Sequence, residues 1–293
     1  MRSATSKARF PILLLTLLVS ISAAAGEKLT ALQLFQAKRY AEAQIAYEQL
    51  AAADPGNAET HFHLGLLALR RNATDTAIAE LERAVALDGK NSDYFAQLGS
   101  AYGAAAQAAG LFSKAGLARK CRVALEKAVE LDPDNLDARE GLVAFYRQAP
   151  AFVGGGIEKA YAEAEEIKNR DVLAGSLLLA QLATGEKKYD AAFATLDRVL
   201  ADHPDAYLAL YAYGRIAAES GLRLDVGERH LRRCLELPPP ARAPAHAAVQ
   251  WRLGLIAEKR PDLPAARAAY AAALELDPAF SPARDALARL PKP

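Results

Sequence analysis

Related endings recur along the chain: LAAADPGN to Asn57, VALDGKN to Asn91, VELDPDN to Asn135, VLADHPD to Asp205 and LELDPAF to Phe280. Pro55 to Gly89 is a step of 34 residues, and Pro204 to Pro239 a step of 35. This spacing constrains the fold more than any other feature. A unit so short holds a pair of helices, cannot bury its apolar faces alone, and has to stack on further copies.

Each unit reads as two halves. The first carries Leu-Gly or a close variant in mid-helix: HFHLGLLA from His61, FAQLGSAY from Phe95, YAYGRIA from Tyr211 and WRLGLIA from Trp251. The second carries a small residue, an apolar residue four on, and another three further. These triplets are Ala43-Tyr47-Leu50, Ala77-Leu81-Ala84, Cys121-Leu125-Ala128, Ala160-Ala164-Ile167, Ala192-Leu196-Val199, Gly227-Leu231-Cys234 and Ala266-Tyr270-Ala273. Such offsets put all three side chains on one helix face. Antiparallel helices approach closely only where something small lies at the crossing, which Gly65, Gly99, Gly214 and Gly254 supply on the first helix. Proline usually follows five residues after the triplet and stops the pair.

The pattern resembles the tetratricopeptide repeat, W-x2-L-G-x2-Y then A-x3-F then P. Phe95 to Tyr102 fits the first part with Phe in place of Trp, and Ala266 to Pro278 fits the second. The resemblance implies an all-α, right-handed superhelical solenoid of antiparallel helix pairs over residues 26–293. It gives about seven units, near 26–57, 58–91, 92–135, 136–172, 173–206, 207–241 and 247–280, with a capping helix at 281–290. It also implies that the first helices line a groove for a protein or peptide segment. Carried over position by position, that stripe takes Phe62, Arg70, Glu140, Arg147, Gln148, Gln181, Tyr211, Arg215, Trp251 and Lys259. The aromatic and arginine members are the expected anchors.

Composition narrows the function. The 293 residues hold 36 basic and 35 acidic side chains, and this balance argues against a nucleic-acid partner. Arg2, Lys7 and Arg9 precede an apolar run from Phe10 to Ile21, and Ala23 and Ala25 follow in Ala-x-Ala spacing. This reads as a secretory signal in residues 1–25, cleaved near Ala25, with a retained N-terminal anchor as the alternative. The run is shorter than the roughly 20 residues of a membrane span. The expected location is periplasmic or secreted. Without the leader, 33 basic residues face 35 acidic ones, a net charge of −2. Cys121 and Cys234 occupy packing positions three repeats apart, so they read as buried thiols without a shared disulfide.

The sequence departs from the period in three places, one of them the PPPARAPAH run after Leu237, which lengthens the link into the last unit. Tyr102 to Cys121 is 19 residues, against nine from Ala68 to Ala77, and the added stretch, AGLFSKAGLARK, is basic. Tyr146 to Ala160 is 14 residues, and the excess includes Gly154-Gly155-Gly156. A glycine run before a helix invites a phosphate-loop reading. Here Lys159 does not follow a glycine, no Ser or Thr stands ready for magnesium, and no strand precedes it. The glycines read as a wide turn, with exposed N–H groups before Ile157 as an anchor for a partner's carboxylate. The five histidines show no metal spacing, and no nucleophile motif is present. The expectation is therefore an envelope scaffold or adaptor with no catalytic residue, metal or cofactor. The alternative is a structural subunit that associates with itself.

Overall fold

The computed structural model describes residues 29–291. The leader read in residues 1–25 lies outside them. The described residues are helical, without a strand, and helix α1 is Ala31–Gln36 and α2 Tyr40–Ala53. The chain divides within α2 into two compact units, Met1–Ala46 and Tyr47–Pro293. In the first, Thr30 and Gln33 cap α1 reciprocally, so that two N–H groups at its start are satisfied. Phe35 meets Tyr40 edge to face, with ring centroids 5.7 Å apart.

The second unit continues as α3 (Ala58–Arg70), α4 (Thr74–Leu87), α5 (Ser92–Ala108), α6 (Leu111–Leu131), α7 (Leu136–Gln148) and α8 (Ile157–Lys168). It ends with α9 (Val172–Gly185), α10 (Tyr189–Asp202), α11 (Tyr207–Ser220), α12 (Leu224–Glu236), α13 (His246–Lys259), α14 (Leu263–Leu276) and α15 (Ser281–Arg289). Consecutive helices pack as antiparallel pairs, α3 with α4 through α13 with α14, and each second helix packs on the next pair. α15 closes on α14.

The residue types explain the packing. A Cβ built on Gly65, Gly99, Gly214 or Gly254 would fall within 2.6 Å of the large side chain opposite: Leu81, Leu125, Leu231 and Tyr270 respectively. All four of those side chains are buried. The sizes reverse in the α7–α8 pair, where Val143 and Ala164 are buried in one cluster. Leu50 is the exception among the triplets: it stays half exposed, where the Ala, Val, Ile or Cys at its place elsewhere is buried.

The connecting turns use a repeated device. Asp54, Asp88, Asp132 and Asp277 each accept a hydrogen bond from the backbone N–H two residues on, fixing the turn that ends the helix. Asn57, Asn91 and Asn135 then cap the following helix through their side-chain oxygens. Six residues after the turn proline, a donor reaches back to that proline's carbonyl. Arg139 does so at 2.8 Å and also meets Glu163 at 2.6 Å, almost wholly buried. His61 turns one ring nitrogen to the Pro55 carbonyl at 3.1 Å and the other to Glu80 at 2.7 Å.

The apolar interior is segmented. One cluster runs from Ala68 to Leu182, a second from Ala180 to Ile256 and a third from Ala257 to Leu290. Helix α9 gives Leu179 and Leu182 to the first and Ala180 and Ala183 to the second. Cys121 and Cys234 are buried free thiols, with burial pushing them up to about 11 and about 12.

Candidate partner-binding groove

Within the second unit, first helices also adjoin one another: α3 with α5, α5 with α7, α9 with α11, and α11 with α13. The residues of the expected stripe lie on these helices and divide by what they touch. Phe62 is half-buried and stacks on Tyr94 at 4.7 Å, while its edge meets His63. Trp251 lies edge to face on Phe280, with centroids 6.1 Å apart, and packs on the third cluster. Tyr211 packs on the second. These three aromatics serve inter-helix packing and keep only part of their surface open.

The polar members are more available. Arg70, Glu140, Arg147, Gln148, Gln181 and Lys259 are exposed. The Glu140 carboxyl is raised above the ordinary range by surrounding protein first, then by the negative charges of Asp137 and Asp171. Arg215 is half-buried and pairs with Glu219 at 3.2 Å. Arg252 reaches the same carboxylate at 3.3 Å and lays its guanidinium 4.3 Å from the centre of the Trp251 ring. Two guanidinium groups thus share one carboxylate, which leaves an excess positive charge beside an indole. The stripe rule missed Arg252, because it follows Trp251 directly and lies about 100° round the helix. Its Nε is buried and unpaired in the structure.

The succession of adjoining first helices weakens between α7 and α9, and a cleft of about 530 Å³ opens there. Its lining is Arg147 and Gln148 from α7, Ile157 at the start of α8, and Leu182, Gly185 and Glu186 from the end of α9. Of the expected stripe the cleft takes only the sequence neighbours Arg147 and Gln148, and Ile157, Leu182 and Glu186 join them. Ile157 is the first helical residue after the glycine turn. Glu186 accepts the Tyr161 hydroxyl at 2.8 Å and Lys188 Nζ at 3.1 Å, which hold it below the usual carboxylate range, the hydroxyl most. Arg147 is exposed and has no acidic partner among the described residues. The cleft offers a guanidinium, an amide and a fixed carboxylate beside the half-buried Ile157, with Leu182 buried beneath, which suits a polypeptide segment with charged and aliphatic groups.

The glycine turn does not present free N–H groups. Gly154 donates to the Ala151 carbonyl, Gly155 to Pro150 and Gly156 to Tyr146. The expected carboxylate anchor before Ile157 is therefore taken up by the turn's own hydrogen bonds. Two of the three glycines are required. Gly154 adopts φ 102° against Arg122, and a Cβ on Gly155 would fall 1.8 Å from the Ala149 carbonyl oxygen. Gly156 is extended, with ordinary space around it. His61 and His63 are both buried, and no cluster of three or more His, Cys, Asp or Glu that could hold a metal occurs among the described residues.

Comparisons with known proteins agree with this architecture. The chain is similar to a tetratricopeptide repeat protein from Parabacteroides merdae at 12% identity and TM-score 0.61, over 88% of this chain and 94% of that one. It is similar to the C-terminal part of a repeat-containing protein of Cytophaga hutchinsonii at 18% identity and TM-score 0.55, over 88% and 98%. Pseudomonas aeruginosa pilF matches at 16% identity and TM-score 0.52, over 80% and 97%. No curated protein matches. The family model for the tetratricopeptide repeat matches residues 29–92, 177–222 and 223–279, and the lengthened segments Tyr102 to Cys121 and Tyr146 to Ala160 both fall in the interval between the first two matches. More than half of the residues are matched, and the chain belongs to the tetratricopeptide repeat family.

Proposed function

We propose that this chain is a non-enzymatic scaffold or adaptor of the bacterial cell envelope that holds a segment of a partner protein along its first helices. The repeat fold generally serves protein interaction rather than catalysis. On this reading about seven units, closed by α15, act after export, and residues 1–25 supply the export signal. The observation that carries the proposal is the cleft between α7 and α9, where exposed Arg147 and Gln148 stand beside half-buried Ile157, over buried Leu182. The Arg215–Glu219–Arg252 group beside Trp251 is a second contact along the same line. Desolvated arginine and aromatic anchors of this kind dominate binding energy at protein interfaces.

The test is capture from an envelope extract, using the chain with Arg147→Ala, Gln148→Ala and Arg215→Ala combined. These side chains lie at or near the surface, so helical content by circular dichroism should hold while partner recovery falls at least tenfold. Unchanged recovery of the same proteins by a fully helical variant would remove the groove assignment.

A further inference from the structure

Two of the lengthened segments, separate in sequence, meet in space. α5 and α6 run 17 and 21 residues, where the other paired helices of the second unit from α3 to α14 have 12 to 14. At 1.5 Å per residue the surplus in α6 is about 10 Å, so this pair projects beyond its neighbours. The glycine turn packs on its flank. Val153 is buried in the cluster beneath, and a Cβ on Gly154 would lie 2.8 Å from Arg122 Nε. Lys159 Nζ clamps the turn by donating to the Gly154 carbonyl at 3.2 Å.

The projection is basic, with three cations on one face and Lys114 about 140° round the helix from Arg119. From Tyr94 through Leu125 the chain has no acidic residue, while it carries Lys114, Arg119, Lys120 and Arg122. Arg122 is answered by Glu126, and Lys120 lies 3.6 Å from Glu82 and over the Tyr102 ring. Lys114 and Arg119 are exposed and have no acidic partner among the described residues. About 100° per residue orders this face from Arg122 at the glycine turn, through Arg119 and Val123, to Lys120 on the α4 side. Val123 is 57% exposed among these cations, and Phe152 on the turn is 73% exposed.

We propose that this projection docks on an anionic lipid surface. Unpaired cations on a protruding helix meet phosphates from any direction, and exposed aromatic and aliphatic side chains beside them enter the headgroup boundary. An acidic polypeptide would be held better by a concavity, and the cleft lies instead on α7, α8 and α9. The proposal concerns a different face from the partner groove and stands independently of it.

The test places a polarity-sensitive dye on the full chain at Gly116→Cys. That position is exposed, a Cβ there meets nothing within 4 Å, and the two native thiols are buried. Vesicles of phosphatidylglycerol mixed into phosphatidylcholine should shift the dye emission to the blue. Phosphatidylcholine alone should not, and added salt should reverse the shift. Lys114→Gln with Arg119→Gln should weaken the vesicle response by roughly thirtyfold at unchanged helicity. Phe152→Ser should weaken it further. No shift with the anionic vesicles, an equal response from the charge variant, or a shift produced by polyglutamate and not by vesicles would each overturn the proposal.

Discussion

One substitution, glycine to alanine, should have opposite signs at two helical positions. At Gly214 in α11, the new methyl would lie 2.2 Å from Leu231 Cγ and 2.5 Å from Cδ2. Carbon atoms in good contact sit about 3.5–4.0 Å apart, so Leu231 has to yield by more than 1 Å. It is fully buried among Ile216, Ala217 and Cys234 and has little room to do so. Overpacking of this kind costs about 1–3 kcal/mol. The better helix propensity of alanine returns up to about 1 kcal/mol. With the overlap this deep, the upper part of the range applies and the net loss is about 2 kcal/mol. At Gly116 in α6 a Cβ meets nothing within 4 Å, so only propensity acts, and Gly116→Ala should stabilise by about 0.5–1 kcal/mol. Urea unfolding measures both. Circular dichroism and Trp251 fluorescence should be recorded separately, since stacked repeats need not unfold together. A third variant isolates the cause: Leu231→Ala alone should cost about 2–5 kcal/mol, and less in the Gly214→Ala background, where the methyl occupies part of the hole. Shifts of the same sign at Gly214 and Gly116, or strict additivity with Leu231→Ala, would refute the close-approach argument.

Gly155→Ala should destabilise the α7–α8 pair, because its Cβ would strike the Ala149 carbonyl, whereas Gly156→Ala should leave the melting temperature nearly unchanged. Hydrogen exchange over residues 146–160 distinguishes the two. Arg139→Ala should cost about 3 kcal/mol, since it leaves the partly buried Glu163 and the Pro133 carbonyl without their donor; thermal unfolding reads this directly. The two thiols should resist iodoacetamide at pH 8 in the folded chain, and each should react once urea unfolds its own block, because only the thiolate attacks and burial raises both. The raised Glu140 carboxyl keeps its proton longer folded than unfolded, so its contribution to stability falls as pH climbs through the raised value and then levels. Asp171→Asn should bring its NMR titration midpoint down, and Asn still caps α9.

The periodic part of this fold was legible in the sequence because its rules are local. The triplet offsets put Ala77, Leu81 and Ala84 on one face, and all three are fully buried. Leu-Gly spacing likewise anticipated the close approach of Gly99 to Leu125. What escaped depends on partners distant in the chain. Helical spacing placed Phe62 and Trp251 on a stripe, but could not tell that Tyr94 and Phe280 would cover part of each ring. Arg122 against Gly154, and Arg147 beside Glu186, join residues more than 30 apart, with no spacing rule to pair them. The N–H groups of the glycine turn illustrate the same limit. Their acceptors include the Tyr146 carbonyl, ten residues before Gly156, which only the folded turn brings near.

Helix α9 belongs to two interiors at once, and this has a mechanical consequence. Leu179 and Leu182 face one cluster while Ala180 and Ala183 face the next, so a single helix joins separately packed blocks. Stretched between its ends, the chain should yield block by block, with α9 as the boundary at which one rupture arrests before the next begins. A scaffold built this way can lose one end under load while the other keeps its grip.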